Sequence, residues 1–151
     1  MRKIFLVLAC FVLLTGCGKR SPYDTVFVTG TVLVDGTPMQ GISIIFNPVN
    51  PDEGHAAGGM TDANGKYKLT TAGLDIGGGA VAGTYNVTFR KIEIVGNDLS
   101  WEEQIVKYPN GLPVIYHVPQ KYGDQGTSGI ESVTIEKNKK NVFDFNLSTK
   151  N

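Results

Sequence analysis

An all-β sandwich of about seven strands is the fold this sequence predicts, and three observations predict it. Short segments alternate apolar and polar residues with a period of two, the mark of strands half-buried against a core. Tight-turn pairs such as Asp35-Gly36 and Asn64-Gly65 punctuate them. The 19 glycines and 7 prolines among 151 residues leave little room for long helices. The length suits a single domain.

The strands follow in order. Val26, Val28, Val32 and Val34 share one side of an extended segment, with Gly30 at the step between them and Thr29 and Thr31 on the other side. Asp35-Gly36 supplies a turn. Ile42, Ile44 and Phe46 repeat the alternation, and Pro48 and Pro51 end it. Residues 50–59 are polar and Gly-containing, a loop or weak edge strand. After Asn64-Gly65, Tyr67 and Leu69 alternate with Lys66, Lys68 and Thr70. Gly77-Gly78-Gly79 marks a flexible connection. Tyr85, Val87 and Phe89 form the clearest strand, followed near the end by Val133 with Ile135, and by Phe143, Phe145 and Leu147. Asp35-Gly36 and Asn64-Gly65 suit positive-φ hairpin positions. Asp62 can accept backbone N–H bonds in its own turn. Tyr85 can bury its ring and satisfy its hydroxyl at a strand end, as in a tyrosine corner.

Residues 91–126 interrupt this pattern as an insertion. Ser100-Trp101-Glu102-Glu103 fits a capping box, with Ser100 at the N-cap and Glu103 three residues on. It predicts a helix of about two turns that stops before Tyr108-Pro109, because the residue before proline disfavours helix. Asn110-Gly111 and Pro113 make turns, and Val114 to Val118 make a further strand. Trp101, Tyr108 and Tyr116 lie within the insertion. Exposed aromatics could stack on sugar rings or anchor a protein interface. Their ordinary role would be to pack as a satellite cluster over the open end of the sandwich.

The N-terminus has a different character. Arg2 and Lys3 form a positive n-region, and Ile4 to Leu14 is entirely apolar. That run is too short to span a bilayer, which takes about 20 residues, but it has the length of a signal-peptide core. Leu14-Thr15-Gly16-Cys17 follows and resembles the lipobox of bacterial lipoproteins. The resemblance implies cleavage before Cys17, a diacylglyceryl thioether on its sulfur and acylation of the freed amine. Residues 1–16 would then be a signal peptide, 17–23 a tether and 24–148 the folded domain. Cys10 would leave with the signal peptide. Arg2 and Lys3 would leave too, tipping the mature chain slightly negative. Two or more acyl chains give stable anchoring, so the bilayer itself is the expected partner of Cys17. Gly18 stands where Asp resembles an inner-membrane retention signal, which favours the outer membrane of a diderm envelope over the inner.

Further segments carry a second resemblance. Gly30-Thr31-Val32-Leu33-Val34-Asp35-Gly36-Thr37-Pro38-Met39-Gln40-Gly41-Ile42 is similar to the opening strand and turn of carboxypeptidase regulatory-like domains. Thr61-Asp62-Ala63-Asn64-Gly65-Lys66-Tyr67 resembles their T-D-x-x-G-x-[YF] signature, and Gly83-Thr84-Tyr85-Asn86-Val87 their G-x-Y-x-V. Pro119-Gln120-Lys121-Tyr122, Thr127-Ser128-Gly129 and Asn141-Val142-Phe143-Asp144-Phe145 resemble the closing segments of small lipoproteins built on this domain. The resemblance covers Tyr23 to Ser148. It implies a seven-stranded antiparallel, transthyretin-like sandwich. It does not imply peptidase activity, since the domain accompanies carboxypeptidases without holding their zinc site.

The residue inventory points away from catalysis. Lys and Arg total 14, as do Asp and Glu, so the chain lacks the basic field of a nucleic-acid binder. There is no H-E-x-x-H, no G-x-S-x-G and no P-loop. Two cysteines make neither a four-cysteine zinc site nor a disulfide framework. His55 and His117 are far apart in sequence, and Asp62 with Asn64 lacks the remaining ligands of an EF-hand. The hydroxyisourate hydrolases that share such sandwiches end in Y-R-G-S, whereas this chain ends Ser148-Thr149-Lys150-Asn151. The H-x-H pair of intradiol dioxygenases is missing as well. The expectation is a protein without catalytic residues, metal or cofactor: a membrane-anchored structural or protein-interaction module of the envelope. The alternative is a carbohydrate-binding module that uses Trp101, Tyr108 and Tyr116. An enzyme would require His55 and His117 to converge with carboxylates in one pocket.

Overall fold

The computed structural model describes residues 23–52, 54–74 and 78–150. The expected leader and lipobox, with Cys17, lie outside the described residues. The first strands are β1 (Thr25–Val26), β2 (Val28–Val34), β3 (Thr37–Pro38), β4 (Ser43–Pro48) and β5 (Ala57–Met60). Next come β6 (Lys66–Lys68), β7 (Thr70–Thr71), β8 (Ala80–Val81), β9 (Gly83–Arg90) and β10 (Ile92–Ile94). Among the described residues one α-helix, α1 (Trp101–Lys107), precedes β11 (Val114–Tyr116), and a short 3-10 helix (Gln120–Gly123) precedes β12 (Val133–Ile135), β13 (Asn141–Val142) and β14 (Phe145–Leu147). The protein is therefore mostly β, as its period-two segments predict.

Strand β2 shows how the alternation is used. Val28, Gly30, Val32 and Val34 are buried, and the residues between them are half-exposed. One sheet is built around this strand, with β6 and β3 on one edge and β13 and β14 on the other. The second sheet has the order β12-β9-β4-β5-β7. Both sheets feed one core: Val28, Val32 and Tyr67 from the first meet Ile44, Phe46, Val87 and Phe89 from the second. The arrangement is sandwich-like, with apolar residues of both sheets turned inward.

Three features differ from the expectation. First, β13 and β14 run parallel to β2, at one constant register from Asn141↔Val28 to Leu147↔Val34, while every other strand pairing is antiparallel. Parallel neighbours need a long connection, and all of residues 35–140 serves as one. Second, β5 is no edge strand. It lies between β4 and β7, and Gly59 is closely packed there, since a Cβ on it would lie 2.5 Å from the Lys68 carbonyl oxygen. Third, segment 66–71 changes sheets: β6 pairs with β2 and β7 with β5, while Leu69 between them is fully buried. Gly78 and Gly79 also do more than connect. Gly79 bridges Thr70, and the Gly78 carbonyl accepts the Thr25 hydroxyl at 2.6 Å. Gly77 lies outside the described residues.

The turns behave as their residue types require. Asp35 and Gly36 both have positive φ, 49° and 79°. At the second turn only Gly65 does, at 72°. There Asp62 Oδ1 accepts the backbone N–H of Asn64 at 2.8 Å and of Lys66 at 2.9 Å, so the carboxylate holds the loop shut. Tyr85 is fully buried, and its hydroxyl donates to the Val81 carbonyl four residues upstream at 2.8 Å. This is the corner bond expected of it.

Tyr67 spans the first sheet. It pairs with Gly30 across β2, and its hydroxyl donates to the Phe143 carbonyl beyond at 2.8 Å. Burial, with the Asp144 carboxylate adding to it, raises the Tyr67 phenol well above its ordinary value, and burial raises Tyr85 likewise. A raised phenol favours the protonated form in the folded state. The contribution is complete below about pH 10, where unfolded tyrosine begins to ionise, and it is lost as pH rises above that value. Stability should thus hold to about pH 10 and fall beyond it. Tyr67→Phe should cost about 1 kcal/mol at neutral pH yet make the alkaline fall shallower, with the remainder due to Tyr85. Urea midpoints of both forms between neutral and alkaline pH check this; an equally steep fall in the variant would contradict it.

Candidate binding arm

Residues 91–117 leave the sandwich as an arm. Strands β10 and β11 form an isolated two-stranded ribbon with pairs Ile92↔Tyr116, Glu93↔Ile115 and Ile94↔Val114. Backbone bonds from Val95 N to Pro113 O at 2.9 Å and from His117 N to Lys91 O at 3.0 Å extend it at both ends. Because opposite residues share a face, Ile92, Ile94, Val114 and Tyr116 make one face wholly apolar. Ile94, Val114 and Tyr116 are exposed there. The other face carries Ile115 and Glu93, whose carboxylate meets His117 Nε2 at 2.9 Å. A two-stranded ribbon with an uncovered apolar face is marginal by itself in water. The sandwich supports it at its base, where Lys91 Nζ donates to the Gln40 carbonyl at 2.7 Å.

The helix at the tip forms for the reason the sequence gives. Ser100 is extended, with φ −64° and ψ 159°, and the capping box is complete. Glu103 N–H donates to Ser100 Oγ at 3.3 Å, and Ser100 N–H donates to Glu103 Oε2 at 2.9 Å. Those bonds from Ser100 hold the Glu103 carboxyl below its ordinary value. Glu102 and Glu103 in the first turn and Lys107 in the last suit the helix dipole. The helix stops at Tyr108, as Pro109 requires.

The three aromatics of the insertion separate into two places. Trp101, Ile105 and Tyr108 follow one another on one helix face and, with Gln104 and Leu112, line a groove of about 200 Å³. Tyr116 lies in a different cleft, of about 260 Å³, with Phe89, Arg90 and Pro119 at the base of the arm. Covering the open end of the sandwich is not what Trp101 does: it is 71% exposed. The helix projects from the ribbon and buries none of its residues. Val106 is 83% exposed on the opposite side. The alternation Ile92-Glu93-Ile94 was the signal for the apolar ribbon face, but a three-residue alternation does not say whether it is covered.

Both histidines and Asp35 are engaged in folding contacts. His55 stacks against Tyr23 with ring centres 4.1 Å apart, while His117 meets Glu93 on the arm. Thr149 lowers the Asp35 carboxyl by hydrogen bonding. Among the described residues, no three His, Cys, Asp or Glu side chains gather as a metal site, and every buried side-chain polar atom has a hydrogen-bond partner. Cys17 lies outside the described residues, and no helix among them is long and apolar enough to cross a membrane. No family model matches the chain, and no curated protein or solved structure matches it either.

Proposed function

We propose that this chain is a non-catalytic, lipid-anchored module of a bacterial envelope, held by acylated Cys17 and binding a macromolecular partner through residues 91–117. The domain would be a seven-stranded, transthyretin-like sandwich of the carboxypeptidase regulatory-like type. One observation carries the binding role. Of the twelve exposed large hydrophobics among the described residues, seven lie in this arm. Scattered exposed apolar residues are ordinary, whereas their concentration on one projection marks an interaction surface. The anchoring rests on the charged, apolar and lipobox segments in their order. A carbohydrate partner is the second reading, favoured by Trp101 and Tyr108 sharing one groove.

The anchor is tested by fractionating cells that make the full chain or Cys17→Ala. The native protein is expected in the membrane fraction, with an intact mass that begins at Cys17 and includes acyl chains. The variant is expected to be soluble once its leader is removed. Because an uncleaved leader would also hold the variant, its mass is measured too. A cleaved variant that stays equally membrane-bound would overturn the lipid anchor.

A further inference from the structure

We infer that the turn after α1 carries a spontaneous modification site: Asn110 loses its side-chain amide through a ring formed with the backbone of Gly111, giving aspartate and isoaspartate, while the same pair at Asn64-Gly65 is held intact by its turn. The inference goes beyond the binding role above and does not depend on what the arm binds.

Asn64 and Asn110 are the two asparagines that precede a glycine in this sequence. The pair suits the chemistry because glycine has no side chain to obstruct its own nitrogen. That nitrogen, once its proton passes to a solvent base, attacks Cγ of the asparagine. A five-membered imide closes, the Cγ–Nδ2 bond breaks, and Nδ2 leaves as ammonia after taking a proton from water. One water then opens the ring. Opening at Cγ restores the peptide bond and leaves aspartate. Opening at the backbone carbonyl routes the chain through Cγ and leaves isoaspartate. Water is the one co-reactant, and closure is favoured because both reacting groups already sit in one chain.

The two sites share a local geometry. Each pair fills the last two places of a four-residue turn. The Tyr108 carbonyl accepts the Gly111 N–H at 3.0 Å, and the Asp62 carbonyl accepts the Gly65 N–H at 2.9 Å. That bond must open before the nitrogen can attack. What else holds the turn is different. At Asn64 the Asp62 carboxylate takes two further N–H groups, the Asp62 N–H donates to the Lys66 carbonyl at 2.8 Å, and the Gly65 carbonyl accepts the Val32 N–H at 2.8 Å. Gly65 is also buried, and a Cβ on it would lie 2.6 Å from the Val32 carbonyl oxygen. On the arm, Asn110 and Gly111 are both exposed, and a Cβ on Gly111 would meet nothing within 4 Å. Among the described residues, neither has a hydrogen bond beyond the one that closes the turn. The fold thus protects one pair and leaves the other open to local opening.

The change alters the arm. Pro109 and Gly111, on either side of Asn110, line the groove of Trp101 and Tyr108. Aspartate sets a negative charge between them, and isoaspartate lengthens the backbone of that turn by a methylene.

The test keeps the full-length protein in detergent at mildly alkaline pH, natively and in urea, and follows each amide by peptide mapping that separates aspartate from isoaspartate. Natively, Asn110 should convert at least about tenfold faster than Asn64, because several more bonds hold the Asn64 turn and each slows the step several-fold. In urea, where neither turn stands, the two should react at similar rates. Asp62→Ala should speed Asn64 several-fold and leave Asn110 unchanged, measured below the thermal midpoint of the variant. Equal native rates at the two sites would overturn the inference. So would an Asn110 that converts in urea but not in the native protein.

Discussion

Gly30→Ala is expected to lose more than about 3 kcal/mol of stability, well beyond an ordinary surface change and above the usual range for one added methyl. A Cβ on Gly30 would lie 1.8 Å from the Phe143 carbonyl oxygen and 2.9 Å from Cε1 of Tyr67. Neither atom can give way cheaply. The oxygen belongs to the neighbouring backbone and accepts the Tyr67 hydroxyl, and the Phe143 N–H is bonded to the Thr29 carbonyl at 3.0 Å. The ring is 2% exposed and packed in the core. Here the ladder between β2 and the C-terminal segment is interrupted, and Asp144 Oδ1 takes the Thr31 N–H at 2.7 Å in its place. Gly58→Ala is the control: its Cβ would find nothing nearer than the Ile44 carbonyl oxygen at 3.6 Å, so it should change stability by less than about 1 kcal/mol. Urea unfolding of the two variants decides the matter. Equal midpoints would mean that the crossing at Gly30 is not as tight as described.

Phe46→Ala should destabilise the fold by about 3–5 kcal/mol, the usual cost of deleting a buried phenylalanine ring. Phe46 is fully buried on β4. Its ring centre lies 6.4 Å from that of Tyr67 and 6.1 Å from that of Tyr85. Phe143 and Phe145 stand at 6.0 and 6.5 Å. Tyr67 belongs to the opposite sheet, as does the C-terminal segment that carries Phe143 and Phe145, so this one side chain joins the two layers. Phe46→Leu keeps most of the volume and should cost less, about 1.5 kcal/mol. A thermal unfolding series would check the order, and equal losses for the two variants would contradict a cost dominated by cavity. The effects of Phe46→Ala and Tyr67→Phe should not add, because the two rings touch the same neighbours.

Both predictions concern residues whose type, but not whose partner, is visible in the chain. Tyr67 reads as an inward position because Lys66 and Lys68 flank it, and Phe46 because it continues the every-second-residue series of Ile42 and Ile44. The same rule places Tyr85, Val87 and Phe89 inside, where they are. Local chemistry also set the turn at Asp35-Gly36, the Asp62 loop and the capped helix after Ser100. Each depends on residues within a few positions of one another, and short-range hydrogen bonding or a positive φ is enough to determine it. The boundaries of the alternating segments were less legible. Strand β1 is separate from β2, and residues 66–71 divide between two sheets, because a strand can change its neighbour without any change in its own period.

The candidate site divides along the same line. Sequence alone determined that the insertion holds a short helix with Trp101 at its start. It determined the inward and outward faces of the main strands as well, since alternation is a property of the backbone itself. Only the tertiary structure decided that the C-terminal segment runs parallel to β2, that Tyr67 reaches across Gly30 to Phe143, and that Trp101 and Tyr108 share a groove while Tyr116 lies elsewhere. The same holds for the exposure of the arm: periodicity gives the face a residue is on, but what covers that face depends on contacts between parts of the chain far apart in sequence.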